Sequence, residues 1–199
     1  MSKLRLEDIS DLRAYERERE AFRQRIIDLK RVRRIPVGPH LSVVFENADT
    51  IRFQIQEMAR VERILSDDAI QAELDAYNPL IPDRGELCAT LFIELTSKEE
   101  LMEWLPKLVG IERSVVLRLG DGTEARAAPE RSHEAQLTRE EVTAAVHYVH
   151  FRLDEAQVKA FEAGPVTLAT DHPSYRQETP LSDATRASLL ADLRGDPAP

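Results

Sequence analysis

The chain has a single cysteine, Cys88, among 199 residues, and that scarcity removes several chemistries. One thiol cannot close an internal disulfide, and it cannot supply the thiolates that hold an internal iron-sulfur cluster or a cysteine-rich zinc site. Any such cluster would sit in a partner. Long apolar runs are missing too: none approaches the ~20 residues that span a bilayer as a helix. The N-terminal MSKLRLEDIS has no secretory apolar region, so a cytoplasmic protein is expected. Glycine is sparse, and Gly120-Asp121-Gly122 lacks the further glycine and the strand-to-helix setting of a dinucleotide loop. No Gly-x-Ser-x-Gly occurs.

What remains is 42% hydrophobic, enough for one compact core with helical extensions. The net charge of -9 is unevenly spread. Residues 1 to 34 hold 11 Lys and Arg against 7 Asp and Glu, while the rest hold 16 against 29. So acidic a body disfavours phosphate contacts with nucleic acid, and the basic head lacks interleaved stacking aromatics. Its densest run, Lys30-Arg31-Val32-Arg33-Arg34, falls where cations complement the dipole at a helix C-terminus. An anionic partner is the other reading.

That helix is predicted from about Ser10-Asp11, with Leu12, Tyr15, Phe22, Ile26 and Leu29 along one narrow stripe that Arg19 interrupts. Such a seam suits packing on the body or on a second copy in a homo-oligomer. Pro36, Gly38 and Pro39 break it. Leu41 to Glu46 and Thr50 to Ile55 then read as a hairpin around Asn47-Ala48-Asp49. From about Gln56 the period turns helical, with a second stretch through Ile70, Glu73, Leu74 and Tyr77 that stops at Asn78-Pro79.

Further strands are predicted at Leu87 to Leu95, Ser114 to Leu119, Thr123 to Ala127, Ala144 to Leu153 and Val166 to Thr170. Helices are predicted at Ser97 to Leu108, with Leu101, Trp104, Leu105 and Leu108 as its buried stripe, at Asp154 to Ala163, and from Leu181-Ser182. The expected fold is α+β, a mainly antiparallel sheet covered by helices with a long N-terminal helix. Its parts are a basic helix (1-34), a body (35-180), and a C-terminal helix with a loose tail (181-199). Thr138 with Glu141 also resembles a capping box, which would make the segment into Leu153 helical, but Val, Tyr and Phe favour a strand from Ala144.

Two carboxylates fall on predicted inward faces. Glu57 lines up with Val61, Ile64 and Leu65, and Glu73 with Ile70, Leu74 and Tyr77. On the strand reading His147 points inward and His150 outward. His172 lies in Asp171-His172-Pro173, just beyond a strand. If Glu57, Glu73, His147 and His172 converge, that Glu/His set suits a transition metal, Fe, Mn or Zn, in a metal-dependent enzyme. Each has a plainer reading. The glutamates could pair with Arg52, Arg60 or Arg63, His147 could be a hydrogen-bonded core histidine, and Asp171 and His172 could be turn formers. Cys88 reads as a packed, inert thiol, and His40 as a backbone-bonding residue. Glu130-Arg131-Ser132-His133 matches the Glu-x-x-His of di-iron bundles, but it lies in a polar stretch after Pro129 rather than on paired helices.

Several segments resemble one uncharacterised bacterial family, a domain of unknown function. They are Gly38-Pro39-His40, Gln54-Ile55-Gln56-Glu57-Met58, Glu62-Arg63, the run from Glu73 to Pro82, Val146-His147 and Asp171-His172-Pro173. His150 departs from the pattern. The resemblance implies genes that often lie beside those for rubrerythrin-like proteins and iron-sulfur oxidoreductases, and it brings no catalytic residues. The function it implies is an accessory or interaction protein of a peroxide-linked redox system.

Overall fold

The computed structural model describes residues 3-130 and 142-196. Helix α1 runs Leu12–Arg33. Its N-cap is Asp11, whose carboxylate accepts the Arg13 and Ala14 N–H groups, while Ser10 instead bonds Glu18 and Gln56. Tyr15, Phe22 and Ile26 form the expected seam, and Phe22 meets Phe53 edge-on at 5.5 Å. The seam packs on the protein's own second helix.

Strands β1 (Arg34–Val37) and β2 (Leu41–Glu46) follow around Gly38, whose φ of 69° suits a residue without Cβ. The predicted strand Thr50 to Ile55 is helix instead: α2 runs Ala48–Glu62. Asn47 and Thr50 cap its first turn reciprocally, so the supposed hairpin turn is an N-cap. Ile51, Ile55 and Ala59, four apart, are its buried face. The alternation of Ile51, Phe53 and Ile55 reflects Phe53 serving a different contact, on Phe22.

Helix α3 (Asp67–Tyr77) starts at Ser66 and runs into a short turn over Asn78–Leu80. Strand β3 (Glu86–Ile93) leads to α4 (Lys98–Lys107), whose capping box joins Ser97 and Glu100. Its predicted stripe is less buried than expected, since Leu101 is exposed while Leu108 is enclosed. Strands β4 (Val115–Leu119) and β5 (Glu124–Arg126) form the hairpin over Gly120-Asp121-Gly122. Then come β6 (Ala128–Pro129), β7 (Val146–Arg152), α5 (Glu155–Ala163), β8 (Val166–His172), β9 (Tyr175–Pro180) and α6 (Asp183–Arg194). Residues 146-152 are thus strand rather than helix. The Thr138/Glu141 capping box and Arg131 to His133 lie outside the described residues.

Every strand pairing among the described strands is antiparallel. The five-stranded sheet has the order β1-β2-β3-β7-β6, and the four-stranded sheet β5-β4-β8-β9. Their inner faces share one core, with Val43, Phe45 and Leu91 meeting Val115, Leu117 and Leu168. The sheets also approach at their edges, where the Tyr175 hydroxyl donates to the Val37 carbonyl and Thr179 to that of Pro36. Helices α2 and α3 and the Asn78–Leu80 turn cover the outer face of the five-stranded sheet through Ile51, Ile55, Leu74 and Leu80 against Tyr148, and α1 packs along β2. The first and last helices are tied by Arg33, 1% exposed, which pairs with Asp192 and also donates to the Phe45 and Glu46 carbonyls. The basic run therefore does more than complement a dipole.

Candidate functional site

Glu57 projects from α2 onto α1. Arg19 grips it with two hydrogen bonds, Nε to Oε1 at 2.7 Å and Nη2 to Oε2 at 2.9 Å, and the Tyr15 hydroxyl donates a third at 2.7 Å. The residue that interrupts the seam of α1 is therefore the partner. Arg60 is taken by Glu16 and Arg52 by Glu18. The bond from Arg19 holds the Glu57 carboxyl below its usual range, with Tyr15 helping and burial opposing. Burial and the Glu57 bond push the Tyr15 hydroxyl up. The stripe assigned to Glu57 is not interior, because Val61 and Leu65 are exposed.

Glu73, on α3, is half-buried and forms no ion pair among the described residues. Burial, then the nearby Glu62, raises its carboxyl.

His147 belongs to a different compartment. Side chains alternate across a strand, and His147 sits opposite Leu91 in the register, on the inner face of the five-stranded sheet with Val149 and Phe151. Glu57 and Glu73 ride on helices that cover the other face. The sheet separates them. His147 Nε2 bonds the Ala144 carbonyl at 2.9 Å and the Thr143 hydroxyl at 2.8 Å, and burial lowers its basicity against the pull of Glu112.

His172 donates from Nε2 to the Val109 carbonyl and accepts at Nδ1 from the Ser174 N–H, so a neutral imidazole uses both nitrogens. Asp171 pairs with Arg126 through two bonds of 2.6 and 2.9 Å. The proposed four ligands do not assemble. No group of three or more His, Cys, Asp or Glu placed to hold a metal occurs among the described residues.

The register places Cys88 opposite His150, with Sγ 3.0 Å from Nδ1. A signal for this pair existed only in strand alignment, because the two lie 62 positions apart. Burial pushes the thiol up and the imidazole down, so both remain neutral, unlike an activated thiolate pair. The His40 ring lies tilted 4.5 Å from Trp104, and the His40 backbone N–H donates to the Tyr175 hydroxyl.

Along the α1/α2 junction, Arg23, Lys30, Arg31 and Arg34 surround a shallow groove of about 520 Å³ with Ile26, Ile27 and Phe53 as its apolar part. Arg31 shares Asp28 and Arg34 pairs with Glu94, whereas Arg23 and Lys30 form no ion pair among the described residues. The groove thus sets positive and apolar side chains together on a protein of net charge -9.

A family described as "Protein of unknown function (DUF3501)" matches residues 3-193. The chain belongs to this family. The crystal structure of a novel protein of unknown function from Burkholderia pseudomallei K96243 is similar to this DUF3501 protein at 38% identity. It superposes with a TM-score of 0.88 over 96% of this chain and 100% of that chain. No curated protein matches. Among the described residues no helix of this DUF3501 protein is long and apolar enough to cross a membrane. Three of the segments that carry the family resemblance meet in space: Gln54, Tyr77 with Leu80, and Val146 face one cavity between the helices and the five-stranded sheet.

Proposed function

We propose that this DUF3501 protein is a cytoplasmic accessory protein of a bacterial redox system, acting by docking rather than through a metal centre of its own. The observation that carries the reading is the α1 groove, in which Arg23, Lys30 and Arg31 flank Ile27 and Phe53. Its occupant would be an acidic surface bearing an apolar side chain. The resemblance suggests an iron-sulfur oxidoreductase, with a rubrerythrin-like protein as the other partner. Two of the side chains expected to hold a metal are engaged within the protein, Glu57 by Arg19 and His172 by Val109 and Ser174.

The test is binding of the purified chain to each of the two proteins from the same organism, measured by titration calorimetry. A complex is expected with at least one. It should weaken with salt and lose on the order of tenfold in affinity in Arg23→Glu/Arg31→Glu, since rim charges govern encounter. Retention of full affinity by that variant, or no complex with either protein, would overturn the reading. A stoichiometric transition metal in the purified protein, lost in His147→Ala, would favour an enzyme instead.

A further inference from the structure

The helical layer does not close fully on the five-stranded sheet. Between them lies a cavity of about 240 Å³, to which the sheet contributes Glu46, Thr90, Phe92 and Tyr148, and the helical side Lys30 and Tyr77. Glu46 stands out. It is 7% exposed, and the one hydrogen bond its carboxylate receives among the described residues comes from the Thr90 hydroxyl at 2.6 Å. The adjacent Arg33 guanidinium binds the Glu46 main-chain carbonyl and pairs with Asp192, so it does not neutralise the Glu46 side chain. A carboxylate offers about four acceptor sites, so the Thr90 bond leaves acceptor sites on Glu46 for a ligand in the cavity. Lys30 borders the same cavity yet forms no ion pair with Glu46.

We infer that the cavity binds a small zwitterion of the amino-acid class, its ammonium held by Glu46 beside the rings of Tyr77 and Tyr148, its carboxylate by Lys30; the Phe92 ring already carries the Arg34 guanidinium. A carboxylate beside aromatic faces is the environment that attracts an ammonium group. The opposite charge on Lys30 disfavours a simple amine and complements a molecule carrying both signs. Burial raises the phenols of Tyr77 and Tyr148, with a hydrogen bond between Tyr77 and Gln54 opposing it at Tyr77, so both stay protonated at neutral pH. The volume also selects: it falls below the roughly 300–1,000 Å³ of sites for drug-sized ligands, which favours a molecule of amino-acid size. Gln54 is exposed at the border of the cavity, which places an opening on the α2 side.

The experiment is calorimetry and thermal shift on the full chain. The probes are the common L-amino acids, 4-aminobutyrate and 6-aminohexanoate, with butylamine and butyrate carrying one charge each. At least one zwitterion should bind with Kd of about 1 mM or tighter and raise Tm, and neither single-charge probe should match it. Glu46→Gln, which keeps an acceptor for Thr90, should weaken that binding on the order of tenfold. Gln54→Trp, at an exposed position, should block the opening even if Glu46→Gln does not fold. The inference is overturned if no zwitterion binds, if butylamine binds equally well, or if Gln54→Trp binds normally. Lys30 borders both sites, but Glu46 and Gln54 line only the cavity and Arg23 and Arg31 only the α1 groove, so this test and the docking test fail separately.

Discussion

Arg19 and Glu57 lock α1 to α2 through two parallel hydrogen bonds, and the Tyr15 hydroxyl, donating to the same Oε1, completes the junction. An arginine in the seam of a helix looks like an interruption when the helix is read alone. In the folded chain it is the polar centre of the helix pair.

The junction sets an acid dependence. The Glu57 carboxyl is held below its usual range, chiefly by Arg19, so its contribution is complete above the unfolded carboxylate range and is lost as pH falls through the folded value. Thermal melts of Glu57→Gln should show a lower Tm than the parent at pH 7, with the gap narrowing toward strongly acidic pH. A constant gap would contradict the assignment. Tyr15→Phe, which keeps the buried ring and removes the hydroxyl, should cost about 1 kcal/mol in urea unfolding.

Arg33 and Asp192 form a second junction, with side chains 1% and 3% exposed. Removing one member leaves a buried charge, so Arg33→Met or Asp192→Leu should each cost about 3–5 kcal/mol. The double variant Arg33→Met/Asp192→Leu should recover much of that loss. Chemical denaturation of the three variants measures it, and a double variant as unstable as the sum of the singles would refute the pairing.

His147 should make the protein less stable in mild acid. Burial depresses its basicity relative to the unfolded chain, so stability is intact above the unfolded value near 6.5 and declines as pH falls from there toward the folded value. Titration of its ring protons by NMR should show a midpoint below that of an unstructured histidine. A midpoint at or above it would contradict the structure.

Cys88 should resist alkylation. Its thiol is buried and pushed up, so iodoacetamide at pH 8 should label native protein far more slowly than urea-unfolded protein, as followed by mass spectrometry. Equal rates would place the thiol in solvent.

Much of this architecture could be read from local chemistry. Caps at Ser97/Glu100 and Asp154/Gln157, the turn at Gly120-Asp121-Gly122 and the run of Val, Tyr and Phe in 146-152 act within a few residues. Thr50 to Ile55 misled because Ile51, Phe53 and Ile55 satisfy a strand period while two partners on different sides use them. β9 escaped notice because most of its residues are exposed and polar, and its pairing with β8 supplies what its composition does not. The candidate site was less legible, since the inward turn of His147 was foreseen but the stripe assigned to Glu57 is exposed and the separate compartments of the two were not foreseen.

By itself the sequence determined most of the element types, though not helix α2 at Thr50 to Ile55 or strand β9, together with the antiparallel α+β character, the inward direction of His147 and the family. Tertiary structure alone decided the partners: Arg19 for Glu57 across 38 positions, Asp192 for Arg33 across 159, and a sheet between His147 and the two glutamates. The physical reason is range. Capping, turn formation and periodicity are settled by neighbours along the chain, whereas the pairing of a buried charge depends on which distant segment packing brings within hydrogen-bond reach.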